Sequence, residues 1–135
     1  MAWTISLTLT TDPQVLRIVR KMVSSAATAE GAAIIDASDI EVAVGETLMN
    51  AHFHAYGGEP GPLSLTVEFD GLRLAVTVSD EGKAIAERPT VPMSLPPPGR
   101  GRGLYLIGQL MDDVNVIASS TRQPGIAVRM AKRIR

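Results

Sequence analysis

Hydrophobic and polar residues alternate along residues 3 to 10, with apolar side chains at the odd positions and threonine or serine at the even ones. This period of two predicts a half-buried β-strand. Residues 63 to 69 and 72 to 78 alternate in the same way. The Asp70–Gly71 pair between them is typical of a hairpin turn. The pattern therefore predicts an N-terminal strand and a central β-hairpin.

Other segments repeat apolar residues every three or four positions, which predicts helices. The first helix is expected at about 13 to 29, because Asp12 is a favourable N-cap and Pro13 suits the first helical position. The segment 38 to 41 reads Ser-Asp-Ile-Glu, a capping-box pattern that predicts the start of a second helix. The glycine-rich residues 57 to 61 end it.

The C-terminal half predicts a long loop, a third helix and two more strands. Five prolines between residues 85 and 100 exclude a helix or a central strand there. A helix follows Gly103, and alternating segments at 114 to 118 and 126 to 130 flank a turn. We therefore expect a two-layer α/β (α+β) sandwich, with a mixed, mainly antiparallel five-stranded sheet and three helices on one face.

Length and composition narrow the class of protein. At 135 residues and 45% hydrophobic, the chain suits one domain spanning residues 1 to 135 and is too short for two. A net charge of −1 offers no electrostatic basis for binding nucleic acid. The absence of cysteine excludes disulfides and thiolate metal sites. With neither a signal-peptide pattern nor an apolar run of roughly 20 residues, we expect a cytoplasmic protein without a membrane partner.

The second helix carries the first candidate for chemistry. On a helix, Glu46, Asn50 and His54 lie at i, i+4 and i+8 and share one face. A carboxylate and a carboxamide one turn apart suit a metal-bound phosphate and a nearby proton transfer. The same spacing also fits an ordinary surface helix, so this stretch alone leaves both interpretations open.

Common nucleotide and metal motifs do not match. Lys83 is followed by Ala84 rather than by serine or threonine, so there is no Walker A motif. The glycines around residue 101 do not follow a strand, which disfavours a dinucleotide fingerprint. His52 and His54 are two residues apart and would point in different directions from a helix, which disfavours a zinc pair.

Three separate segments instead carry residue pairs that suit a nucleotide site. These are Glu46 with Asn50 on a helix, Asp80 with Gly82 at a strand end, and Gly101 with Gly103 at a helix start. They resemble the N, G1 and G2 boxes of the GHKL (Bergerat-fold) ATPases. Within that superfamily, the chain looks most like the anti-sigma factor serine-protein kinases of bacterial partner switching. The resemblance spans the whole chain. Its most specific part is the segment from Gly101 to Val114, which ends in Leu-Met-Asp-Asp-Val.

The resemblance implies ATP and Mg²⁺ as cofactors and assigns roles to single residues. Asn50 would hold Mg²⁺, and Glu46 would accept the proton of a substrate serine hydroxyl. Asp80 would accept a hydrogen bond from the adenine amino group. Gly82 would let the backbone approach the base.

The phosphates would lie at the start of the third helix. Gly101 and Gly103 would present free N–H groups there. Arg100 and Arg102 could add positive charge, although loop arginines are also commonly solvated. The proline-rich loop, at about residues 85 to 100, would be a lid over the nucleotide.

His54 and Leu104 belong to the same motifs and are assigned to nucleotide binding. Two features depart from the family pattern. Ala84, also a candidate nucleotide contact, replaces the usual second glycine of the G1 box. Ile126 and Ala127 stand where the family often has a threonine. These departures bear on nucleotide affinity more than on chemistry.

The expected function is that of an anti-sigma factor that phosphorylates a serine of a STAS-domain anti-anti-sigma factor and also holds a sigma factor. The resemblance further implies a homodimer. Arg17 would contact a protein partner, or would lie on a solvated helix face. The main alternative is a Bergerat-fold binding module with weak or no catalysis that sequesters a protein partner. A free ATPase is disfavoured because the chain has no second catalytic domain.

Overall fold

The computed structural model describes residues 1–82, 90–98, 101–118 and 125–135, with the side chain of residue 118 left out. The strands in these ranges are β1 (Trp3–Thr10), β2 (Pro62–Phe69), β3 (Arg73–Asp80), β4 (Asp113–Ala118) and β5 (Ile126–Arg133). The helices are α1 (Pro13–Ala29), α2 (Ile34–Asn50) and α3 (Arg102–Leu110), and a π-helical turn, Ala51–Ala55, directly continues α2. This order matches the prediction.

The strands form one five-stranded sheet in the order β1-β2-β3-β5-β4. The predicted two-layer sandwich is confirmed, but the sheet is not mixed as predicted, because each of the four pairings is antiparallel. Leu65 lies opposite Leu7 on one side and Val78 on the other, so apolar side chains line up across the sheet. The period of two therefore gives the sheet one apolar face.

The three helices cover that apolar face and bury the core. Leu16 and Val23 of α1 and Val44 and Leu48 of α2 are each at most 2% exposed. Burying one such side chain contributes about 1.5–3 kcal/mol, so this layer holds α2 firmly over the sheet. The side chains of α2 that do not enter the core are consequently held in fixed directions.

The start of α1 agrees with its prediction. Asp12 Oδ1 accepts hydrogen bonds from the N–H groups of Gln14 (2.9 Å) and Val15 (3.4 Å), and Pro13 occupies the first turn. These bonds satisfy donors that the first helical turn leaves without intrahelical partners. The local sequence is therefore sufficient to predict where α1 begins.

The predicted start of α2 is wrong by one turn. The helix begins at Ile34 rather than after Ser38, and its N-cap, Ala33, makes no side-chain cap bond. The extra turn is stabilised by packing, because Ala37 is buried and its carbonyl accepts a hydrogen bond from the Ser24 hydroxyl of α1 (3.1 Å). A contact between distant residues thus overrides the local capping signal.

The described part of the proline-rich segment, residues 90–98, contains no helix or strand, as predicted. It packs on α3, where Arg102 Nε donates to the Pro96 carbonyl (3.0 Å). A Cβ at Gly108 would lie 2.6 Å from Val91. The rest of the predicted lid lies outside the described residues. Among the described helices, none combines the length and the apolar character that crossing a bilayer requires.

Candidate functional site

A cavity of about 520 Å³ opens between α2 with its π-helical turn, the ends of β3 and β5, and the start of α3. Its volume lies within the range of small-molecule and cofactor sites, about 300–1,000 Å³. The lining residues are Thr47, Asn50, Ala51, His54, Ala55, Val78, Asp80, Gly101, Arg102, Gly103, Leu104, Ile107, Val116, Ile126 and Val128. All three predicted segments therefore contribute to one cavity.

Glu46 and Asn50 both face the first turn of α3. A Cβ built on Gly103 would lie 3.0 Å from Asn50 Nδ2 and 3.2 Å from Glu46 Oε2. Asn50 lines the cavity, whereas Glu46 lies at its margin, one helical turn earlier. Both side chains are half-buried. Because Leu48 is fully buried on the other side of α2, the helix cannot rotate them away from the cavity.

The helix predicted to continue through residue 55 changes to π-helical geometry at Ala51. A π-turn has more residues per turn than an α-helix, and such turns are frequent at functional sites. His54 nevertheless lines the cavity, as predicted. Ala55, the next residue, lines it too.

His52 points away from the cavity and is structural. It is 4% exposed, and its Nδ1 lies 2.9 Å from Thr11 Oγ1. The Thr11 hydroxyl also accepts the N–H of Gly61 (2.9 Å). The two histidines therefore diverge, as their spacing predicted.

Asp80 is held in place by backbone donors on one carboxylate oxygen. Its Oδ1 accepts the N–H groups of Gly82 (3.0 Å) and Ile126 (3.1 Å). Among the hydrogen bonds of the described residues, none involves Oδ2, and Asp80 lines the cavity. A fixed carboxylate with a free oxygen can accept a hydrogen bond from a ligand amino group.

Gly125 makes this arrangement possible. Its φ is +124°, and a Cβ there would collide with the Asp80 carbonyl oxygen. A larger residue would therefore push β5 away from Asp80 and break the bond from Ile126. At position 126 the backbone N–H provides the polar contact, while the isoleucine side chain adds apolar lining.

Gly82 does not line the cavity. A Cβ at this position would lie 2.5 Å from Ala55 Cβ and 2.9 Å from its Cα, so glycine lets the segment after β3 pack on the π-helical turn. This contact positions Asp80 relative to α2. The predicted approach of Gly82 to an adenine base stays a prediction.

The start of α3 is a ready anion site at the other end of the cavity. Gly101 is the N-cap, with φ +82° and no side-chain cap bond. The Tyr105 N–H donates to the Gly101 carbonyl (3.0 Å) and closes the first helical turn. The preceding N–H groups of residues 102 to 104 have no intrahelical acceptor, and such groups bind phosphates.

Arg102 also lines the cavity, but its Nε is engaged by the carbonyl of Pro96. It therefore joins the proline-rich segment to the start of α3. Arg100 and Ala84, both predicted nucleotide contacts, lie outside the described residues.

Sequence reasoning missed the apolar walls of the cavity. These are formed by Val78, Ile107, Val116, Ile126 and Val128. They suit the faces of a flat, weakly polar ring. The alternation of side chains along the strands could have identified most of them. Val78, for example, lies two residues before Asp80 and therefore on the same face of β3.

Tyr56, directly after the π-helical turn, is a second residue whose role the sequence reasoning missed. Its hydroxyl donates to the Pro62 carbonyl and accepts the Glu81 N–H (2.7 Å). Burial raises the pKa of Tyr56, and the negative charges of Asp80 and Glu81 raise it further, while the bond from the Glu81 N–H lowers it. Tyr56 thus joins the segment after the π-helical turn to the backbone next to Asp80.

Arg17 lies outside the main cavity. It is exposed on α1 beside a groove of about 190 Å³ between α1 and α2. Arg20 and Met49 line the same groove. Within the described residues, the buried Nε of Arg20 has no hydrogen-bond partner. The contact role predicted for Arg17 stays a prediction.

The donor set fits Mg²⁺ held together with a nucleotide. No cluster of three or more histidine or acidic side chains that could hold a metal occurs in the described ranges. Mg²⁺ is typically bound by one or two protein oxygens together with substrate phosphates. Asn50, with Glu46 one turn away and the free N–H groups of α3 opposite, provides such an incomplete site.

Comparisons with known proteins agree with this geometry. A model of the histidine kinase-like ATPase domain matches residues 9–132. Serine-protein kinase RsbW of Staphylococcus epidermidis is 29% identical over 97% of this chain and 87% of its own length. RsbW of Bacillus thuringiensis (strain Al Hakam) is also 29% identical, over 87% of this chain and 76% of its own.

Two solved structures share the fold. The RsbU and RsbW domains of Rv1364c from Mycobacterium tuberculosis match with a TM-score of 0.65 and 18% identity, over 96% of this chain and 32% of that chain. The histidine kinase domain of the Erythrobacter litoralis EL346 blue-light activated histidine kinase matches with a TM-score of 0.56 and 23% identity, over 88% of this chain and 61% of that one. The chain belongs to the histidine kinase-like ATPase domain family, the GHKL type of ATP-binding domain.

Proposed function

We propose that the chain is an ATP- and Mg²⁺-dependent protein kinase that transfers phosphate to a serine of a protein substrate. The observation that carries this proposal is the shared cavity, which brings Asn50, Asp80 and the start of α3 together. The matched family is an ATPase domain. The two RsbW relatives are named serine-protein kinases.

The nucleotide would lie along the cavity with its base at Asp80. The free Oδ2 would accept the adenine amino group while the apolar walls cover the faces of the ring. The triphosphate would then extend toward α3, where the free N–H groups of residues 102 to 104 bind its oxygens. Asn50 Oδ1 would hold Mg²⁺, which neutralises phosphate charge during transfer.

Glu46 would act as the general base. It lies one helical turn from Asn50 and faces the start of α3, where the terminal phosphate would sit. Accepting the proton of a substrate hydroxyl would let the oxygen attack the γ-phosphorus, while the bond from that phosphorus to ADP breaks and ADP leaves. A position at the cavity margin suits this role, because a protein substrate must approach from outside.

We further propose that the substrate is a STAS-domain anti-anti-sigma factor and that the chain also holds a sigma factor. The support is the similarity to RsbW kinases over almost the whole chain. Arg17, exposed beside the groove between α1 and α2, is the side chain we assign to partner contact.

The proposal is tested by mixing the protein, ATP labelled on the γ-phosphate, Mg²⁺ and the STAS-domain protein encoded nearest to it. We expect labelled phosphoserine in the STAS protein. Glu46→Gln should slow transfer by about 10²–10⁴-fold, the usual contribution of a general base, while ATP binding persists. Glu41→Gln, the same change earlier on α2, is the matched control. A Glu46→Gln protein as fast as the parent would remove the base assignment.

A second candidate function is a binding module with weak or no catalysis. It is favoured by Ile126, whose apolar side chain lines the cavity where related proteins often have threonine. In that case the protein would bind its partner equally well with and without ATP and transfer no phosphate. The labelled-ATP assay therefore distinguishes the two functions.

A further inference from the structure

Lys132 lies on the face of β5 that the helices cover. The residues two positions away on either side, Met130 and Ile134, are 0% and 6% exposed, so the alternation along the chain predicts an apolar residue between them. The side chain of Lys132 is itself only 12% exposed. A lysine is rarely buried to this degree unless its ammonium group is paired. The partners of this group therefore indicate its role.

The ammonium group of Lys132 connects the end of α3 with the start of α2. Its Nζ donates to the carbonyl of Leu110 (2.7 Å), the last residue of α3. It also lies 3.9 Å from Asp36 Oδ1 and 3.8 Å from Asp39 Oδ2, in the first two turns of α2. A cation stabilises the C-terminal end of a helix and a carboxylate the N-terminal end, because each opposes the helix dipole there. One charged group thus holds two helix ends together.

The packing of α3 on the core is concentrated at its middle. Of the nine residues of α3, only Ile107 is buried. With a rise of about 1.5 Å per residue, Gly103 lies about 6 Å to one side of Ile107 along the helix axis, and Leu110 about 4.5 Å to the other. A helix packed in this way can tilt about its middle. A shift of its C-terminal end would then move its first turn by a similar distance in the opposite direction.

The two ends of α3 contact opposite ends of α2. Lys132 joins Leu110 to the start of α2, whereas Gly103 approaches Asn50 at the end of α2. These two contacts together fix the angle between the helices. Lys132 does not line the nucleotide cavity. The space between Asn50 and the first turn of α3 nevertheless depends on where Lys132 holds the other end of α3.

We propose that Lys132 is a positioning residue for the phosphate end of the nucleotide site. By holding the C-terminal end of α3 against the start of α2, it keeps the free N–H groups of residues 102 to 104 close to Asn50. Phosphates bound by these N–H groups then remain within reach of a Mg²⁺ ion held by Asn50. The inference rests on the proposed nucleotide site and adds to it a residue outside the cavity.

The base end of the site should not depend on Lys132. Asp80, the proposed partner of the adenine amino group, is held by the N–H groups of Gly82 and Ile126 rather than by α3. A tilt of α3 would therefore move the groups that bind phosphates and leave the Asp80 carboxylate in place. Loss of Lys132 should accordingly weaken the binding of ligands that carry phosphates and spare those that do not.

This difference is tested by titrating Lys132→Met with Mg·ATP and with adenosine, which has no phosphate. Methionine keeps an apolar stem but has neither the charge nor the N–H donors. We expect the affinity for Mg·ATP to fall by about 10–100-fold, the usual loss when a group that orients metal ligands is removed. The affinity for adenosine, followed by NMR so that weak binding is also detected, should equal that of the parent. The matched control is Lys21→Met, the same change at an exposed position of α1, which should bind both ligands like the parent.

A second variant tests the same link from the side of α2. Replacing Asp36 and Asp39 together by asparagine removes the charges that face the ammonium group and leaves its bond to Leu110. Both aspartates are partly exposed, so this double variant answers the question even if Lys132→Met fails to fold. It should show the same selective loss of affinity for Mg·ATP. A double variant that binds Mg·ATP like the parent would contradict a link between the two helix ends.

Hydrogen exchange of the nucleotide-free protein distinguishes a tilt of α3 from its unfolding. The Tyr105 N–H donates to the Gly101 carbonyl in the first turn of α3 (3.0 Å). In Lys132→Met this amide should remain protected from exchange, because a tilted helix keeps its internal hydrogen bonds. Loss of this protection would show that the first turn has unfolded, and would contradict the positioning role.

The titrations also separate this inference from the proposed function. A parent that binds neither Mg·ATP nor adenosine would overturn the proposed nucleotide site and the role of Lys132 with it. A parent that binds Mg·ATP no better than Lys132→Met does would overturn the role of Lys132 alone. Equal losses for Mg·ATP and adenosine would overturn it as well, since they would indicate a general effect on the fold.

Discussion

A Cβ atom on Gly103 would lie only 3.0 Å from the Nδ2 atom of Asn50. The first turn of α3 therefore approaches α2 this closely because residue 103 has no side chain. Phosphates bound at the start of α3 would then lie within reach of Asn50 and Glu46.

Gly103→Ala should weaken Mg·ATP binding without unfolding the protein. The added methyl group pushes α3 away from Asn50, and so separates the N–H groups proposed to bind the phosphates from the side chain proposed to hold Mg²⁺. We expect an affinity loss of about tenfold, or about 1.4 kcal/mol, in a calorimetric titration. Gly45→Ala is the control, since there the nearest neighbour is the flexible side chain of Arg20, at 3.1 Å. Equal affinities for the two variants would contradict the role of this contact.

Asp80→Asn should remove the preference for adenine. The variant retains an oxygen for the N–H groups of Gly82 and Ile126, but its amide nitrogen cannot accept a bond from the adenine amino group. The parent should bind ATP more tightly than inosine triphosphate, which lacks that amino group, by about 1.5–3 kcal/mol. The variant should bind both weakly and alike. A variant that still prefers ATP would place the base elsewhere.

Tyr56→Phe should lower both stability and ATP affinity. The change leaves the Pro62 carbonyl and the Glu81 N–H without their shared partner and loosens the backbone next to Asp80. We expect a loss of about 1 kcal/mol in the free energy of unfolding, measured with urea at pH 7.

The pH dependence of this difference has a defined sign. Burial raises the folded-state pKa of Tyr56 above its usual value of 10.0. The stabilisation is therefore fully present below pH 10 and is lost as the pH rises through the folded-state pKa. The gap in stability between the parent and Tyr56→Phe should narrow above pH 10. A gap that widens there would contradict the assigned hydrogen bonds.

Asp12→Ala should destabilise the fold by about 1 kcal/mol, because it removes the cap of α1. Asp12→Asn keeps a cap oxygen and should remain close to the parent. Urea unfolding of the three proteins measures the difference. If the alanine and asparagine variants were equally stable, the cap would contribute nothing.

Local signals predicted most of the fold. The cap of α1 and the Asp70–Gly71 turn lie where the sequence places them, since Asp70 Oδ1 accepts the N–H groups of Leu72 and Arg73. These bonds lower the pKa of Asp70. The start of α2 was wrong because the contact between Ser24 and Ala37 joins residues 13 apart.

The candidate site was predictable only in part. The motif residues Asn50, Asp80 and Gly103 do line or border one cavity. The bond from Ile126 to Asp80 depends on how β5 is placed beside β3, which the spacing of residues along the chain does not show. The same holds for Tyr56, whose two partners come from β2 and from the segment after β3.

We propose that one cavity binds Mg·ATP between Asn50 and Asp80. The decisive experiment is a calorimetric titration of the parent with ATP, first with Mg²⁺ and then with excess chelator. We expect one ATP per chain with Mg²⁺, clearly weaker binding without it, and weaker binding by Asp80→Asn in both conditions. No binding by the folded parent, or equal binding by Asp80→Asn, would contradict it.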